Sequence, residues 1–323
     1  MTENKIILVV RRTRLDDLIA RFNTLAQAQF YVEHLGADFS DYQKEHENYK
    51  KAVMTAEAQL HRLGRVQVLD RDFLPNFIFA EQDTVVVLGQ DGLVANTVKY
   101  LNGQMIIGVN PDPQRWDGIL LPFQVTDLRK VVPEVFAQHR PIQEVTMAKA
   151  SLNDGQILYA VNDLFIGRKS HTSALYQIQI GQQQEQQSSS GIIVSTGLGS
   201  TAWFKSLVIG ATAITQALLK EGKLVALDSF SGRINQEQMI DSSYPWDTNY
   251  LHFTVREPFP SNSNSVTKLI FGKITAEQSM LLVSQMPENG VIFSDGIEND
   301  FLEFNAGTQA VISIAEKRGY LVV

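Results

Sequence analysis

A chain of 323 residues exceeds what one hydrophobic core usually supports, so two domains are expected. With 44% hydrophobic and 20% charged residues, the composition is that of an ordinary globular protein, and no apolar run approaches the roughly 18 residues of a membrane helix. The absence of cysteine excludes disulfides and thiolate metal sites, and the net charge of −7 argues against broad binding to nucleic acid or acidic membranes. We therefore expect a cytoplasmic or organelle-matrix protein that binds small molecules, with cytoplasmic as the first choice and magnesium as its natural metal ion.

The first half of the chain alternates short β-rich runs with helical patterns, which is typical of a parallel sheet with crossover helices. Apolar positions from Tyr42 to Leu63 recur at helical spacing and predict an amphipathic helix that ends at Gly64. A second helix follows the third strand. The predicted strands are Lys5–Val10, Val66–Leu69, Thr84–Leu88 and Met105–Val109. We therefore predict a Rossmann-like α/β domain over residues 1–141.

From about residue 142 the pattern changes to short strands separated by turns, which predicts an all-β, sandwich-like domain over residues 142–323. A glutamine-rich stretch, 182–190, reads as a solvated hairpin. A helix is predicted over Thr201–Leu219, with Ser200 as its N-cap. One arrangement left open is that the extreme C-terminus packs back on the first domain. The predicted strands include Ile157–Ile166, Ala174–Ile180, Gly191–Ser195, Lys268–Phe271, Met280–Ser284, Val291–Phe293 and Ala310–Ile314.

The strand Thr84–Leu88 runs directly into Gly89-Gln90-Asp91-Gly92 and then into a helix. Such a turn brings main-chain N–H groups together at the carboxyl end of a strand, which favours a bound phosphate. A carboxylate there fits a role as proton acceptor or metal ligand. A Gly-x-Asp-Gly turn can equally do no more than reverse the chain, so the motif alone leaves structure and function evenly balanced.

Two further motifs lie in the second half. Asn162-Asp163 interrupts a strand-like run and, taken alone, reads best as a β-bulge or an edge. The segment from Ser195 to Trp203 intersperses glycines with hydroxyl residues between a buried strand and a helix, which favours ligand binding. Near the carboxyl end of the chain, Asp295-Gly296 is at least as consistent with a tight hairpin turn as with a functional turn.

In this order and at this spacing, the three motifs resemble the NAD kinase family. That family has Gly-Gly-Asp-Gly after a strand, then Asn-Glu, then Ser-Thr-x-x-Gly-Ser-Thr-Ala-Tyr. The segments 107–113, 165–167, 189–191 and 255–258 place the resemblance closest to the mitochondrial-type branch. The resemblance extends from about residue 84 to the Asp295-Gly296 turn.

The resemblance implies an NAD kinase-like two-domain fold and an enzyme that transfers the γ-phosphoryl group of ATP to the 2′-hydroxyl of the adenosine ribose of NAD, giving NADP. It implies a requirement for Mg²⁺, a homodimer or larger assembly, and a dinucleotide in a cleft between the domains. Asp91 would be the catalytic carboxylate, and no metal ligand of the protein is implied. The other implied nucleotide-binding residues are Gly89, Gln90, Gly92, Asn162, Asp163, Ser190, Thr201, Ala202 and Trp203.

The chain also departs from the family pattern. Gln90 replaces the second glycine of the loop, and a side chain there would cost about 1 kcal/mol if the position had a positive φ. Leu93 and Asp163 replace the family's threonine and glutamate, and Trp203 replaces its tyrosine. Two alternatives stay open: a member that binds NAD or NADP but is catalytically impaired, and a kinase of the same superfamily that acts on a lipid or another hydroxyl compound.

Overall fold

The computed structural model describes residues 4–221, 243–259 and 268–323. The chain divides into two compact units, an N-terminal unit of residues 1–144 with 317–323, and a C-terminal unit of residues 145–316. The first is an α/β unit, and the second, over the residues that the structure describes, is all-β apart from one helix, which confirms the predicted fold class. Within the described residues, no helix is long and apolar enough to cross a membrane.

The N-terminal unit contains a parallel sheet in the order β2-β1-β3-β4, and the end of β17 adds to the other side of β4. Its strands are β1 (Lys5–Val10), β2 (Arg65–Asp70), β3 (Thr84–Leu88), β4 (Met105–Asn110), β5 (Phe123–Gln124) and the end of β17 (Gln309–Val322). Its helices are α1 (Arg14–Phe22), α2 (Leu25–His34), α3 (Phe39–Leu60), α4 (Asp91–Val98) and α5 (Leu128–Phe136). The predicted strands of this half are confirmed to within a residue.

The chain passes from β1 to β2 on one side of β1 and returns to β3 on the other side. The point where the strand order reverses therefore lies between β1 and β3, and open α/β sheets bind ligands beyond the carboxyl ends of the strands at such a point. The glycine turn follows β3, so the sheet order places it at this edge.

Helices α1 and α2 occupy the segment for which the sequence predicted no element. Thr13 begins α1 through a reciprocal cap, in which its hydroxyl accepts from the Asp16 N–H and the Asp16 carboxylate accepts from the Thr13 N–H. Thr24 caps α2 in the same segment. The two helices pack with the start of α3 around a small apolar cluster of Leu15, Ala28, Val32 and Phe39.

The C-terminal unit packs two antiparallel sheets around one hydrophobic core. One sheet has the order β13-β12-β11-β8-β15-β16, and in the other β14 lies between β9 and β17. The helix α6 (Trp203–Lys220) follows β11. The strands are β6 (Ile142–Leu152), β7 (Ile157–Ala160), β8 (Asp163–Arg168), β9 (Ala174–Ile180), β10 (Gln183–Ser189), β11 (Ile192–Ser195), β12 (Tyr250–Val255), β13 (Phe271–Thr275), β14 (Met280–Ser284), β15 (Gly290–Ser294), β16 (Ile297–Glu303) and the start of β17.

Three details of the predicted β half are corrected. The single strand predicted over 157–166 is two strands, because the chain turns at Val161-Asn162 before β8 begins. The strand predicted at 268–271 begins instead at Phe271, since the two residues before it form a turn. Ser200 is not the N-cap of α6: it lies in a 3₁₀ turn, Leu198–Thr201, and its hydroxyl donates to the Gly197 carbonyl.

Candidate functional site

The glycine turn ends β3 and begins α4. Gly89 is buried and its N–H donates to the carbonyl of Val109 on β4, which holds the turn on the sheet. The Gln90 carbonyl accepts from the N–H groups of Leu93 and Val94, so α4 starts at once. Gly92 is exposed, with open space where a side chain would be. The turn therefore offers a helix N-terminus at the edge where open α/β sheets bind ligands.

Gln90 occupies the N-cap position with φ −117° and ψ 164°. This is extended backbone, which any residue adopts, so the strain that a positive φ would impose does not arise here. The expected cost of about 1 kcal/mol for a side chain at this position is therefore absent. Gln90 is compatible with the loop geometry.

The Asp91 carboxylate is oriented by two main-chain donors. Its Oδ1 accepts from the Leu120 N–H at 2.8 Å, and its Oδ2 accepts from the Ile119 N–H at 3.2 Å. The loop that supplies these donors is itself organised by Asn110, whose amide accepts from the Asp112 N–H and donates to the Trp116 carbonyl. A carboxylate fixed in this way is a suitable proton acceptor for a hydroxyl that comes within reach.

A tyrosine joins the ends of the two strands that flank the reversal of strand order. The Tyr49 hydroxyl donates to the Leu88 carbonyl at 2.8 Å and accepts from the Arg11 N–H at 2.9 Å. Burial raises the pKa of Tyr49 to about 12, so its hydroxyl stays protonated at neutral pH. Tyr49 thus fixes the end of β3 directly before the glycine turn.

In the C-terminal unit, a cavity of about 500 Å³ opens beside β8. Three of the predicted binding residues, Asp163, Ser190 and Trp203, line it together. The remaining lining residues are Phe165, Arg168, Lys169, Ser170, His171, Thr172, Arg256, Glu257, Phe293 and Gly296. The alternation of side chains along β8 explains part of this arrangement, because Leu164 and Ile166 point into the core while Asp163 and Phe165 face the cavity.

Aromatic rings form one part of the cavity. Phe165 stacks on Trp203, with ring centroids 5.8 Å apart, and on Phe293 at 6.1 Å. The guanidinium of Arg256 lies over Trp203, 5.4 Å from the ring centroid. Flat apolar rings next to cations suit a ligand that carries both a planar base and negative charge.

The cations come from separate strands and loops. Arg168 ends β8 and Arg256 follows β12, and the Nε atom of each is buried without a hydrogen-bond partner in the described structure. The Arg256 carbonyl accepts from the Ser190 N–H, and its own N–H donates to Gly191, so main-chain bonds place Ser190 beside Arg256. Two arginine cations that line one cavity suit the binding of an anion.

Asp163 is buried at the start of β8. Burial raises its pKa to about 7, and the nearby negative charge of Asp295 contributes to the same shift. The carboxyl therefore changes its ionisation near neutral pH and is available as a donor or an acceptor. A strongly perturbed carboxyl that lines a cavity is characteristic of functional sites.

The structure does not bring all predicted residues to this cavity. Thr201 and Ala202 are exposed and precede Trp203 without lining the cavity, and Asn162 lies in the turn next to it. Gly89, Gln90, Asp91 and Gly92 belong to the N-terminal unit.

Sequence reasoning missed the cations Arg168, Lys169 and Arg256 and the rings of Phe165 and Phe293. They are scattered over more than 120 positions and converge only through the sheet register. Phe165 and Arg256 do lie within segments that resemble the mitochondrial-type branch, 165–167 and 255–258, and this resemblance could have marked them as candidate binding residues.

The two units define a protein that pairs a parallel α/β sheet carrying a glycine turn with an antiparallel β-sandwich carrying an aromatic and cationic cavity. The same fold is found in NAD kinases. The yeast NADH kinase structure in complex with NADH aligns with a TM-score of 0.57 and 15% identity, covering 100% of this chain and 84% of that chain. An Archaeoglobus fulgidus NAD kinase in complex with ATP aligns with a TM-score of 0.52 and 13% identity, covering 99% and 93%.

Sequence similarity agrees with the fold and confirms the resemblance to NAD kinases. The NAD kinase of Burkholderia pseudomallei is 31% identical over 138 residues, which are 40% of this chain and 45% of that protein. The mitochondrial NADH kinase of Saccharomyces cerevisiae is 27% identical over 140 residues, 41% of this chain and 33% of that protein, and it lends weak support to the mitochondrial-type branch. The matches thus span less than half the length of these relatives, and no family model matches the chain.

Proposed function

We propose that this protein is an NAD or NADH kinase, which transfers the γ-phosphoryl group of ATP to the 2′-hydroxyl of the adenosine ribose. The observation that carries the proposal is the cavity of the C-terminal unit, where Asp163, Ser190 and Trp203 meet. Asp163 and Trp203 come from the two motifs that resemble the dinucleotide-binding motifs of the family, and Ser190 lies shortly before the second of these motifs. The structural relatives support it as well, since one is a complex with NADH and another a complex with ATP.

In this proposal the cavity binds the dinucleotide. Trp203 and Phe165 provide a stacking surface for a planar base, and Arg168 and Arg256 line the cavity as cations for phosphate oxygens. Asp163 binds a ribose hydroxyl or a base amino group, and as a carboxyl with a pKa of about 7 it accepts a hydrogen bond in its ionised form and donates one when protonated. Asn162, beside it, contacts the same adenosine.

The chemical step needs a base and a phosphate-binding turn, and we assign both to the N-terminal unit. The ribose O2′ forms a bond to the γ-phosphorus, the bond from that phosphorus to the β–γ bridging oxygen breaks, and ADP leaves. The proton of the hydroxyl passes to Asp91, whose carboxylate is oriented by the N–H groups of Ile119 and Leu120. The first turn of α4, with Gly89, Gln90 and Gly92, binds phosphate oxygens.

Magnesium fits this assignment as a companion of the nucleotide. Within the described residues, no group of three or more histidine, aspartate or glutamate side chains is arranged to hold a metal ion. Mg²⁺ in kinases is held largely by substrate phosphates and water, with one or two carboxylates of the protein, and it spreads the charge of the phosphates when bound. Asp91 is the carboxylate at the turn that could contribute a ligand.

The proposal is tested by incubating the purified protein with Mg²⁺ and each pair of donor and acceptor, and identifying the product by mass spectrometry. The donors are ATP and polyphosphate, and the acceptors are NAD, NADH and a diacylglycerol or sphingosine micelle. We expect a dinucleotide phosphate whose added group is on the 2′-oxygen. A phosphorylated lipid would favour the related lipid kinases, and dinucleotide binding by calorimetry without product would favour an impaired member.

The homodimer or larger assembly and the cytoplasmic location stay predictions. Light scattering of the purified protein tests the first, and fractionation of the source cells tests the second.

A further inference from the structure

The Asp295-Gly296 turn connects β15 and β16, and both of its residues have positive φ, 54° and 68°. A two-residue hairpin with this backbone needs residues that tolerate the left-handed region, and asparagine or glycine serves there as well as aspartate does. The turn alone therefore does not explain a carboxylate at this position.

The side chain of Asp295 makes contacts that explain it. Its Oδ1 accepts from the N–H groups of Val161, Asn162 and Asp163 at 3.0, 2.6 and 3.3 Å, and its Oδ2 accepts from the Val161 N–H at 3.1 Å. In return, the Asp295 N–H donates to the Asp163 carbonyl. Three consecutive N–H groups directed at one anion form a concave donor site that a carboxylate satisfies better than a neutral group does.

The carbonyl groups of Val161 and Asn162 are held by Thr196 and Gly199 of the third motif. The Thr196 hydroxyl donates to the Val161 carbonyl at 2.5 Å, with a second contact to the Asn162 carbonyl at 3.1 Å, and the Thr196 N–H donates to Asn162 at 2.9 Å. Gly199 packs so closely that a Cβ atom on it would lie 2.0 Å from the Asn162 carbonyl oxygen. The Val161–Asp163 turn is thus fixed through its N–H groups by Asp295 and through its carbonyl groups by the third motif.

We propose that Asp295 and Thr196 are positioning residues that clamp the Val161–Asp163 turn and thereby hold the Asp163 carboxyl in the dinucleotide cavity. The inference rests on the proposed function for the identity of the ligand. It also divides the third motif into two roles: Thr196 and Gly199 support the second motif, whereas Trp203 lines the cavity directly.

Two substitutions at position 295 distinguish the effect of the carboxylate from the effect of the backbone conformation of the Asp295-Gly296 turn. Asp295→Gly removes the carboxylate and keeps a residue that tolerates the left-handed region, and Asp295→Asn keeps the Oδ1 acceptor. Asp154→Gly is the matched control, because Asp154-Gly155 is an exposed Asp-Gly turn whose carboxylate contacts only its neighbour Gln156 among the described residues. Each variant is measured for amide hydrogen exchange at 161–163, for NAD affinity by calorimetry, and for the KM values of NAD and ATP.

With Asp295→Gly we expect the three amides to exchange at least tenfold faster, and the NAD dissociation constant to rise by about tenfold or more, because their half-buried acceptor is lost. The ATP KM should stay within twofold, Asp295→Asn should be intermediate, and Asp154→Gly should change none of these values. Unchanged amide exchange in Asp295→Gly overturns the clamp. So does faster exchange with unchanged NAD affinity, or an equal rise in both KM values. If the native protein binds no dinucleotide, the proposed function fails, and the amide exchange alone decides whether the clamp exists.

Discussion

Replacing Asp163 by asparagine should stabilise the protein at alkaline pH. The pKa of Asp163 is raised from 3.8 to about 7, mainly by burial. Asparagine has nearly the same shape and no charge, so it removes the cost of burying an ionised carboxyl while leaving the volume of the site unchanged.

The sign and size follow from proton linkage. Because the folded state binds this proton more tightly, the contribution of Asp163 to stability is most favourable below pH 3.8 and is lost as the pH rises to about 7. At 1.36 kcal/mol per pKa unit, the loss is about 2 kcal/mol at pH 5 and about 4 kcal/mol above pH 7, as orders of magnitude. Asp163→Asn should therefore raise the free energy of unfolding more at pH 8 than at pH 5.

Urea denaturation followed by tryptophan fluorescence at the two pH values measures this difference. Asp154→Asn is the control and should give no gain at either pH, since that carboxyl is exposed and its pKa is lowered by hydrogen bonds from Gln156. An equal effect of Asp163→Asn at pH 5 and pH 8, or a loss of stability at pH 8, would refute the reasoning. The asparagine variant should also bind NAD more weakly, because a site that keeps a costly carboxyl generally uses it.

Substitutions at three further positions probe the site. Gln90→Gly should change the rate of phosphoryl transfer by less than about threefold and the free energy of unfolding by no more than about 1 kcal/mol, because the backbone at Gln90 has φ −117° and no strain to relieve. A large gain in rate would show instead that the Gln90 side chain impairs catalysis. Trp203→Ala should raise the NAD dissociation constant about tenfold and Trp203→Phe about threefold or less, measured by calorimetry, since a flat ring is what stacks there; equal losses would argue against stacking. Gly199→Ala should weaken NAD binding at least tenfold, because its methyl group meets the Asn162 carbonyl, whereas Gly210→Ala, which has open space around it, should not.

The strands of the N-terminal unit could be predicted because each is a short apolar run bounded by polar or turn residues. Lys5–Val10 and Thr84–Leu88 match the structure at both ends. By contrast, α1 and α2 escaped prediction, although Thr13 and Asp16 form a reciprocal cap whose spacing is visible in the sequence. The two helices are only 9 and 10 residues long, and their buried residues form a small cluster separate from the main core.

The candidate site was predicted only where its residues fall within contiguous motifs. Asp163, Ser190 and Trp203 lie in or next to such motifs, and the structure brings them to one cavity. The guanidinium groups of Arg168 and Arg256 could not be found in this way, because strand pairing decides their position. The same applies to Asp295, whose turn reads as an ordinary hairpin until its carboxylate is seen to accept three main-chain N–H groups.

The central claim is that the protein phosphorylates the adenosine ribose of NAD or NADH with Asp91 as the proton acceptor. The most direct test compares the native protein with Asp91→Asn in a quantitative assay of 2′-phosphorylated dinucleotide, with NAD affinity measured in parallel by calorimetry. We expect product from the native protein, a rate at least about 100-fold lower in Asp91→Asn, and an NAD affinity changed by less than about twofold. No dinucleotide phosphate from the native protein with any donor, or a full rate in Asp91→Asn, would contradict the claim.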